Sequence, residues 1–543
     1  MSTRMFGAET EYAVAGRTGD RGGGDRAMLV NQLQDAAKLQ LRHLPDRQGS
    51  GCFLENGARF YIDAGLHPEM STPECTTPWE VVRYMLAGDR ILVDLARQLE
   101  ARLGDGSRVT VFKGNVDYSG THSTWGAHES YCHRAPVECL PDALIPHLVS
   151  RVVYAGAGGF NPLSPGLEFT LSPRAHHLTR VISDNSTNLR GIFHTKDEPL
   201  SSSGYHRLHV LCGDGLLSET ALWLKFGTTA LVVAMIEAGV FTKNKVALRS
   251  PLQALKTFSG DPTCRVAVKL SSGRSATALQ IQDYYLALAE AHLHDAFMPD
   301  WAEDVCGQWR VVLESLDKRP AEIAATLDWA IKWAVYEDRA ERRGFSWTAL
   351  AGWSFVMREL RAALDATENR GLPIGVDLVC SQDSPIRKEV LAMRPFLHAR
   401  KLSWDDLGAF LALRQEFFEI DSRFGQLGAE GIFSALDSAG KLTHHLPGID
   451  RIEEAASEPP LTGRARLRGE EIRRLAGTAG RHYSDWQGVW DHASMRWLDL
   501  SDPFDVDAKW QPIPERPGAL KDIRSQLSTF EELLNARDGG WTY

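Results

Sequence analysis

Acidic side chains fall on alternating, strand-like stretches near the start of the chain, and this pattern constrains the fold more than any other feature. The stretch MFGAETEY places Glu9 and Glu11 two positions apart. Successive side chains of a strand point to opposite faces, so these two carboxylates share one face of a sheet. The stretch NGARFYID likewise puts Arg59, Tyr61 and Asp63 on one face. We expect both faces to belong to one polar surface.

Two further glutamates, Glu69 and Glu74, follow directly in the stretch HPEMSTPEC. Taken singly, each of these acidic residues could be a solvated surface residue, and Asp63 could simply end a strand at a turn. Taken together, four Glu and one Asp on one surface would repel one another unless hard cations neutralised them. Magnesium bound with a nucleotide phosphate suits such a site. The sequence therefore predicts an enzyme that depends on ATP and magnesium.

A second polar pattern lies on the strand-like stretch YHRLHV, where Arg207 and His209 share a face. An arginine suits a phosphate or carboxylate, and a neutral histidine suits a metal. No GxxxxGK[ST] motif occurs, because Leu442 follows Gly440 and Lys441 where that motif needs Ser or Thr. The glycine-rich GAGG at 156–159 does not match GxGxxG. Any nucleotide would therefore be held by neither a P-loop nor a Rossmann turn.

Composition narrows the classes of partner. A length of 543 residues predicts more than one domain. The net charge of −10 argues against general binding of nucleic acid, which needs a basic surface. The eight cysteines are scattered without a CxxC pair, as expected for reduced thiols. The apolar stretch 230–236 is too short to cross a membrane. We therefore expect a soluble cytoplasmic protein without a membrane partner.

The order of patterns along the chain predicts a large N-terminal unit and a small C-terminal one. Helices are expected at 79–103 and 218–239, between strand-like stretches, and Glu458-Pro459-Pro460 marks a boundary. We predict a catalytic domain over 1–455 and a C-terminal domain over 460–543. A helical insertion at about 350–410 is either a tolerated surface elaboration or a docking element for a partner, and the sequence does not distinguish these.

Several long motifs together resemble one family, the Pup–protein ligases and the related depupylases and deamidases. The motifs are GAETEY (7–12), NGARFYIDAGLHPEMSTPEC (56–75), FKGNVD…GAHESY (112–131), TKDEP…YHRLHVLCGD…SET (195–220) and TGRARLRGE (462–470). The resemblance runs in order over most of 5–300 and resumes at about 418–506. It implies an α+β fold, with a glutamine-synthetase-like catalytic domain whose curved, mainly antiparallel sheet is flanked by helices.

The resemblance also implies a reaction. The ligases use ATP to phosphorylate the side-chain carboxylate of the C-terminal Glu of a small, disordered, Pup-like modifier. A lysine of a target protein then attacks the acyl phosphate and forms an isopeptide bond. The depupylase relatives hydrolyse this bond or deamidate a C-terminal Gln.

Site roles carry over by motif position. Asp63 matches the catalytic proton acceptor, while Glu9, Tyr61 and Glu69 match magnesium ligands. Further residues are expected on the same grounds: Arg59, Thr72 and, more loosely, Trp486 as ATP contacts, and Glu11, Glu74 and His209 as residues that complete the metal site. Arg207 is the arginine expected at the phosphate.

Ligase and depupylase activities remain alternatives at the level of sequence. The short segment between Val14 and Asn56 and the DAGLHPE spacing favour a ligase, whereas Arg190-Gly191-Ile192 and Phe345-Ser346-Trp347 are more typical of depupylases. The family's TRDEPH reads TKDEPL here, and its YRRLHV reads YHRLHV, which suggests a divergent branch and an altered substrate. A small-molecule glutamate–amine ligase is a further alternative. A catalytically silent binding module is disfavoured because the acidic set is intact.

Overall fold

A nine-stranded sheet carries the acidic stretches. The computed structural model describes residues 3–17, 26–49, 51–104, 106–121, 123–183, 189–194, 204–241 and 244–513. The strands in these ranges are β1 (Met5–Glu11), β2 (Ala13–Arg17), β3 (His43–Pro45), β4 (Cys52–Leu54), β5 (Arg59–Ile62), β6 (Pro68–Ser71), β7 (Arg108–Phe112), β8 (Ala127–His133), β9 (Gly159–Phe160), β10 (Phe169–Thr170), β11 (Ile182–Ser183), β12 (Phe193–His194), β13 (His206–Val210), β14 (Ala267–Lys269), β15 (Ser275–Thr277), β16 (His482–Asp485), β17 (Gly488–Asp491), β18 (Arg496–Asp499) and β19 (Trp510–Pro512).

Helices surround this sheet. They are α1 (Arg26–Gln40), α2 (Pro78–Leu103), α3 (Leu140–Ser150), α4 (Val152–Ala155), α5 (Glu219–Glu237), α6 (Pro251–Ser259), α7 (Ala278–Ala291), α8 (Ala302–Lys318), α9 (Pro320–Ile323), α10 (Asp328–Arg342), α11 (Trp347–Asp365), α12 (Val376–Cys380), α13 (Arg387–Ala392), α14 (Arg394–Ala399), α15 (Trp404–Phe424), α16 (Ile432–Ser438), α17 (Ile452–Ala455) and α18 (Gly463–Leu475). Two short 3₁₀ helices cover Val137–Cys139 and Pro173–His177.

The strand order in the large sheet is β11-β12-β13-β8-β1-β6-β5-β4-β3. Only β11 and β12 pair in parallel among the described strands of this sheet, so it is mainly antiparallel, as predicted. The fold is α+β. The predicted helices at 79–103 and 218–239 are confirmed as α2 and α5. Ser218 caps α5 by accepting a hydrogen bond from the Ala221 amide.

The two faces of the sheet differ in chemistry. On one face, Phe6 of β1, Tyr131 of β8 and Leu208 of β13 are buried in the largest apolar core, which includes Phe226 of α5. The same alternation turns Glu9 and Glu11 toward the opposite face, where they are only partly buried. The apolar face thus fixes the register, and the register fixes which side chains share the polar face.

Helix α5 lies wholly inside this core. Its 19 residues are long and apolar enough to cross a membrane, yet the apolar window is 100% buried within the fold, as in a core helix. The apolar stretch noted at 230–236 is therefore part of a longer apolar helix. All eight cysteines are free of disulfides.

The strand that begins in the stretch MFGAETEY ends before Tyr12. Tyr12 is buried and its hydroxyl donates to Asp89 at 2.7 Å, so the chain leaves the large sheet there and β2 pairs with β7 instead. The departures noted in TKDEPL lie outside the described residues.

The insertion is helical, as predicted, and has a core of its own. Helices α11 to α15 pack Trp353, Leu360 and Phe410 together, and Phe417 joins this cluster to Phe160 of β9. Ser346 and Ser403 act as the N-caps of α11 and α15.

The C-terminal strands β16 to β19 form a separate four-stranded sheet. This sheet and α18 share a small apolar cluster with Leu44 of β3 and Phe53 of β4, at the edge of the large sheet. The boundary at 455–460 and the two-domain division stay predictions.

A buried ion cluster lies under the polar face. Glu129 of β8 is fully buried, and Arg151 donates to it with Nη2 to Oε1 at 2.5 Å and Nη1 to Oε2 at 2.8 Å. Lys225 of α5 lies 3.6 Å away. Because a charge buried without its partner is costly, this cluster ties β8 to α5.

We expect Arg151→Met to lower the free energy of unfolding by about 3–5 kcal/mol, because it leaves Glu129 without its bidentate partner. Chemical denaturation followed by circular dichroism measures this change. Arg342→Ala is the control, because Arg342 pairs with Asp338 at the surface of a single helix. Equal effects of the two substitutions would contradict the importance of the buried cluster.

Candidate functional site

Strand register brings the predicted acidic residues to one face of the large sheet. Glu11 of β1 lies opposite Glu69 of β6, and Glu69 lies opposite Tyr61 of β5. On the other side of β1, Glu9 lies opposite His128 of β8. Directly paired residues of antiparallel strands point to the same face. Glu9 and Glu11 therefore share a face, as the alternation predicted, and strand pairing adds Glu69 to them.

Glu9 lies among three nitrogen-bearing side chains. The Arg207 Nη2 donates to its Oε1 at 2.9 Å, while His128 Nδ1 and His209 Nε2 lie 3.5 and 3.8 Å from its Oε2. Burial alone would raise the pKa of Glu9, but His209, His128 and Arg207 outweigh it and hold the pKa well below its ordinary value. Glu9 is thus an anion.

Glu11 and Glu69 differ in charge state although they face each other. Burial raises the pKa of Glu11, but His67 and the Gly126 amide, which donates at 2.8 Å, bring it down to about 2. For Glu69, burial together with the charges of Glu9 and Glu11 raises the pKa well above its ordinary value. Burial and the two neighbouring carboxylates thus leave a local imbalance of negative charge at Glu69.

This imbalance fits a divalent cation. Ligand atoms of Glu9, His128 and His209 lie within 4.8 Å of one another, and so do those of Glu11, Glu69 and His128. Carboxylate oxygens are the ligands that magnesium prefers, and a cation would remove the like-charge penalty at Glu69. The residues present therefore fit a bound divalent ion.

Asp63 sits on a tight turn that joins β5 and β6. The His67 amide donates to Asp63 Oδ1 at 2.7 Å, and Leu66 is held in the left-handed region with φ of 59°. The His67 ring bridges two acids, with Nδ1 3.0 Å from Glu11 Oε2 and 3.5 Å from Asp63 Oδ2. Burial lowers the pKa of His67, but its bonds to Asp63 and Glu11 raise it to about 9. The turn thus links Asp63 to the carboxylate cluster.

Two cavities meet at Glu9. The larger one, of about 280 Å³, is lined by Glu11, Asp63, Glu69 and His209 among others. The smaller one, of about 100 Å³, is lined by Thr72, Glu74, Arg207 and Trp486 among others. Glu9 lines both cavities. The predicted metal ligands and the predicted nucleotide contacts thus fall largely into separate but adjoining spaces.

The predicted ATP contacts are placed differently from one another. Thr72 is buried beside β1, where its Oγ1 accepts from the Ala8 amide at 3.1 Å. Trp486 reaches the smaller cavity from the C-terminal sheet and packs edge-on against Phe53. Arg59 pairs with Asp46 at 2.6 Å and lies over the Tyr61 ring at 4.0 Å, without lining either cavity. The ATP role of Arg59 stays a prediction.

The structure corrects the role of Glu74, which was predicted to complete the metal site. Arg464 Nε donates to Glu74 Oε1 at 2.5 Å, and Arg468 Nη2 donates to Oε2. Burial would raise the pKa of Glu74, but Arg468 and Arg464 lower it to about 2. Glu74 belongs to no group of potential metal ligands among the described residues. Its carboxylate links β6 to α18 instead.

Sequence reasoning missed His67 and His128 as site residues. His128 lies in the GAHESY motif, for which the sequence indicates no metal role. The alternation of β8, which places His128 and Ser130 on one face, was the available signal, but the pairing of β8 with β1 was needed to bring that face to Glu9. His67 was read only as a neighbour of Glu69.

The mainly antiparallel sheet, its flanking helices and the carboxylate-lined polar face define a glutamine-synthetase-like α+β enzyme. The model of the Pup-ligase protein family matches residues 4–353, and the chain belongs to that family. It is 31% identical to the Pup–protein ligase of Rhodococcus erythropolis strain PR4 over 513 residues, which is 93% of this chain and 97% of that protein. It is 36% identical to the Pup–protein ligase of Nocardia farcinica over 63% of this chain and 75% of that protein.

Solved structures agree on the fold. The crystal structure of the complex between the prokaryotic ubiquitin-like protein Pup and its ligase PafA aligns with a TM-score of 0.69 and 23% identity, covering 100% of this chain and 99% of that one. The structure of the Pup ligase PafA in complex with ADP aligns with a TM-score of 0.63 and 25% identity, covering 89% and 91%.

We expect Glu74→Gln to loosen the contact between β6 and α18, because the neutral amide no longer compensates Arg464 and Arg468. Hydrogen exchange should speed up in α18 and the C-terminal sheet while the large sheet stays protected. Glu470→Gln is the control, because Glu470 pairs with Arg466 on the exposed side of the same helix. Unchanged exchange in Glu74→Gln would show that the apolar cluster alone holds α18.

Proposed function

We propose that this protein is an ATP-dependent isopeptide ligase that joins the side-chain carboxylate of the C-terminal Glu of Pup, or a Pup-like modifier, to a lysine of a target protein. One observation carries the proposal: Asp63 and the carboxylate cluster share a cavity that adjoins, at Glu9, a second cavity lined by the predicted nucleotide contacts. The similarity to Pup–protein ligases supports this direction of reaction over the depupylase alternative.

The arrangement supports a two-stage reaction. Nucleotide in the smaller cavity would present its terminal phosphate toward Glu9, which lines both cavities, and toward Arg207, which donates to Glu9. The modifier's side-chain carboxylate, held in the larger cavity, attacks that phosphorus, and ADP leaves. The lysine amine then attacks the acyl carbon, and inorganic phosphate leaves as the amide bond forms.

Asp63 is suited to accept the proton of the attacking amine. Its side chain is about one-fifth exposed, so an incoming lysine can reach it, while the His67 amide and ring fix its orientation. The bridge from His67 to Glu11 couples this orientation to the cluster. Asp63 is thus partly open to solvent while His67 links it to Glu11.

Glu9, Glu11, Glu69, Tyr61 and His209 are the proposed residues for magnesium, with His128 added from the structure and Glu74 withdrawn. Tyr61 stays neutral, because burial and the charges of Glu69 and Glu9 raise its pKa well above its ordinary value. When bound, magnesium would neutralise phosphate charge and polarise the phosphoryl oxygens. The chain's own part is to orient the oxygen ligands on a rigid sheet.

Lysine-bearing target proteins and a cytoplasmic location belong to the same proposal. The eight free cysteines agree with a reducing compartment.

We expect Asp63→Asn to lower the rate of conjugation by about 100-fold or more, because the amide cannot accept a proton. Nucleotide binding should be retained. Intact mass spectrometry of a lysine-bearing protein incubated with Pup ending in Glu, ATP and magnesium measures the product. Asp507→Asn, at an exposed position, is the control. Cleavage of a preformed conjugate without ADP formation would instead support the depupylase alternative.

We expect Trp486→Ala to weaken ATP binding by about tenfold, because an aromatic wall of the smaller cavity is lost. Isothermal titration calorimetry with a non-hydrolysable ATP analogue measures this loss. Trp497→Ala serves as the control, because Trp497 stacks on Trp490 in the same sheet without lining that cavity. Equal binding by the two variants would remove Trp486 from the nucleotide site.

A further inference from the structure

Two adjacent histidines, His444 and His445, meet two carboxylates at the start of α5, those of Glu219 and Asp437. None of these four described residues lines either cavity. We propose that they bind one zinc-class divalent ion through Glu219, His444 and His445, while Asp437 orients the two imidazole rings. Such an ion would be structural, and its binding does not depend on the proposed ligase reaction.

The separations of the three proposed ligands suit one small ion. Ligand atoms of Glu219, His444 and His445 lie within 4.8 Å of one another, and His445 Nδ1 lies 2.8 Å from Glu219 Oε1. Ligands about 2.0–2.2 Å from a tetrahedral zinc ion lie roughly 3.3–3.5 Å apart. A small opening of the contact between His445 and Glu219 therefore admits the ion.

Hydrogen bonding turns an Nδ1 lone pair of each ring toward the proposed ion. Asp437 Oδ1 lies 2.9 Å from His445 Nε2, and an ionised carboxylate only accepts, so this Nε2 carries a proton. The Glu219 amide donates to His444 Nδ1 at 3.3 Å, which places the proton of His444 on Nε2 as well. A carboxylate that fixes the tautomer of a ligating histidine is usual around bound zinc.

The contact between His445 and Glu219 needs a positive charge between its two atoms. With the ring proton on Nε2, the Nδ1 lone pair of His445 faces a carboxylate oxygen at 2.8 Å. The Leu446 amide donates to Glu219 Oε2 at 2.9 Å and leaves Oε1 facing the rings. A second proton on His445 would satisfy this oxygen but not His444 Nδ1, whose contact with the Glu219 amide is long. A metal ion satisfies all three atoms.

The donor set selects the class of ion. Two imidazole nitrogens and one carboxylate oxygen suit zinc and its neighbours, whereas magnesium prefers oxygen ligands alone. The side chains of Glu219 and His444 are 7% and 3% exposed, which holds them in place, while that of His445 is 59% exposed. The ion can therefore enter from solvent, and water can supply a fourth ligand.

The ion would fasten the segment 439–451, which joins α16 to α17, onto α5. This segment already bonds to α5 through Thr220 Oγ1, which donates to the carbonyl oxygen of His444 at 2.8 Å. Further on, the carbonyl oxygen of Pro447 accepts from Trp79 Nε1 of α2 at 2.9 Å. Zinc at this point would thus stabilise the path of the chain from the helical insertion toward α18.

The test titrates zinc into metal-free, full-length protein in saturating magnesium, against a chromophoric zinc chelator. Asp437→Ala should weaken zinc binding by about 10- to 100-fold, because Asp437 positions the rings. His445→Ala removes a ligand and should cost more, and its exposed position makes misfolding an unlikely cause. His398→Ala, at an exposed histidine of the insertion, is the control and should bind zinc like the unmodified protein.

A second comparison separates this site from the polar face of the large sheet, where Glu9, His128 and His209 also offer nitrogen and oxygen ligands. Cobalt replaces zinc as a probe, because its visible absorption reports tetrahedral coordination. The tetrahedral absorption should persist in His209→Ala and disappear in His445→Ala. Zinc should likewise raise the thermal unfolding temperature of His209→Ala but not that of His445→Ala.

Each outcome decides. Absence of zinc binding, or binding that is lost in His209→Ala and kept in His445→Ala, overturns the site, and a doubly protonated His445 then accounts for its two contacts. Equal losses in His445→Ala and His398→Ala overturn it as well. Zinc binding that depends on His445 and Asp437 supports the site, even in a protein that forms no conjugate with ATP.

Discussion

Repulsion among Glu9, Glu11 and Glu69 is the constraint on which the rest of the site depends. The apolar face of the sheet fixes the register of β1, β6 and β8, and that register forces the carboxylates together. Burial of Glu69, together with the charges of Glu9 and Glu11, keeps the pKa of Glu69 strongly raised despite the neighbouring cations. Core packing thus stabilises a local arrangement that is unfavourable without a ligand, as is common at functional sites.

Alternation along single strands was enough to predict which side chains share a face. It identified Glu9 with Glu11, and Arg207 with His209, as pairs that each share a face, and the long apolar and capped segments predicted α2 and α5. It could not predict Glu74, because this residue follows the end of β6, where alternation no longer applies. Its two arginine partners come from α18, about 390 residues further along the chain.

The residues that sequence reasoning missed are those defined by long-range pairing. His128 meets Glu9 only because β8 pairs with β1, and His445 meets Glu219 across 226 positions of the chain. The family resemblance supplied Asp63 and Thr72, whose roles no spacing rule indicates. The scattered cysteines correctly predicted free thiols, since all eight are free of disulfides. In contrast, the apolar content of α5 does not by itself distinguish a core helix from a membrane span.

The smaller cavity is closed by residues from the two ends of the chain. Its walls include Phe6 and Ala8 from the first strand and Arg464 and Trp486 from the last described part. During synthesis the ribosome releases the second wall only after nearly nine-tenths of the 543 residues have been made. A chain that stops short of α18 would present the acidic face without this cavity. Under the proposed function, a nascent chain therefore gains its nucleotide cavity only once α18 and Trp486 have been made.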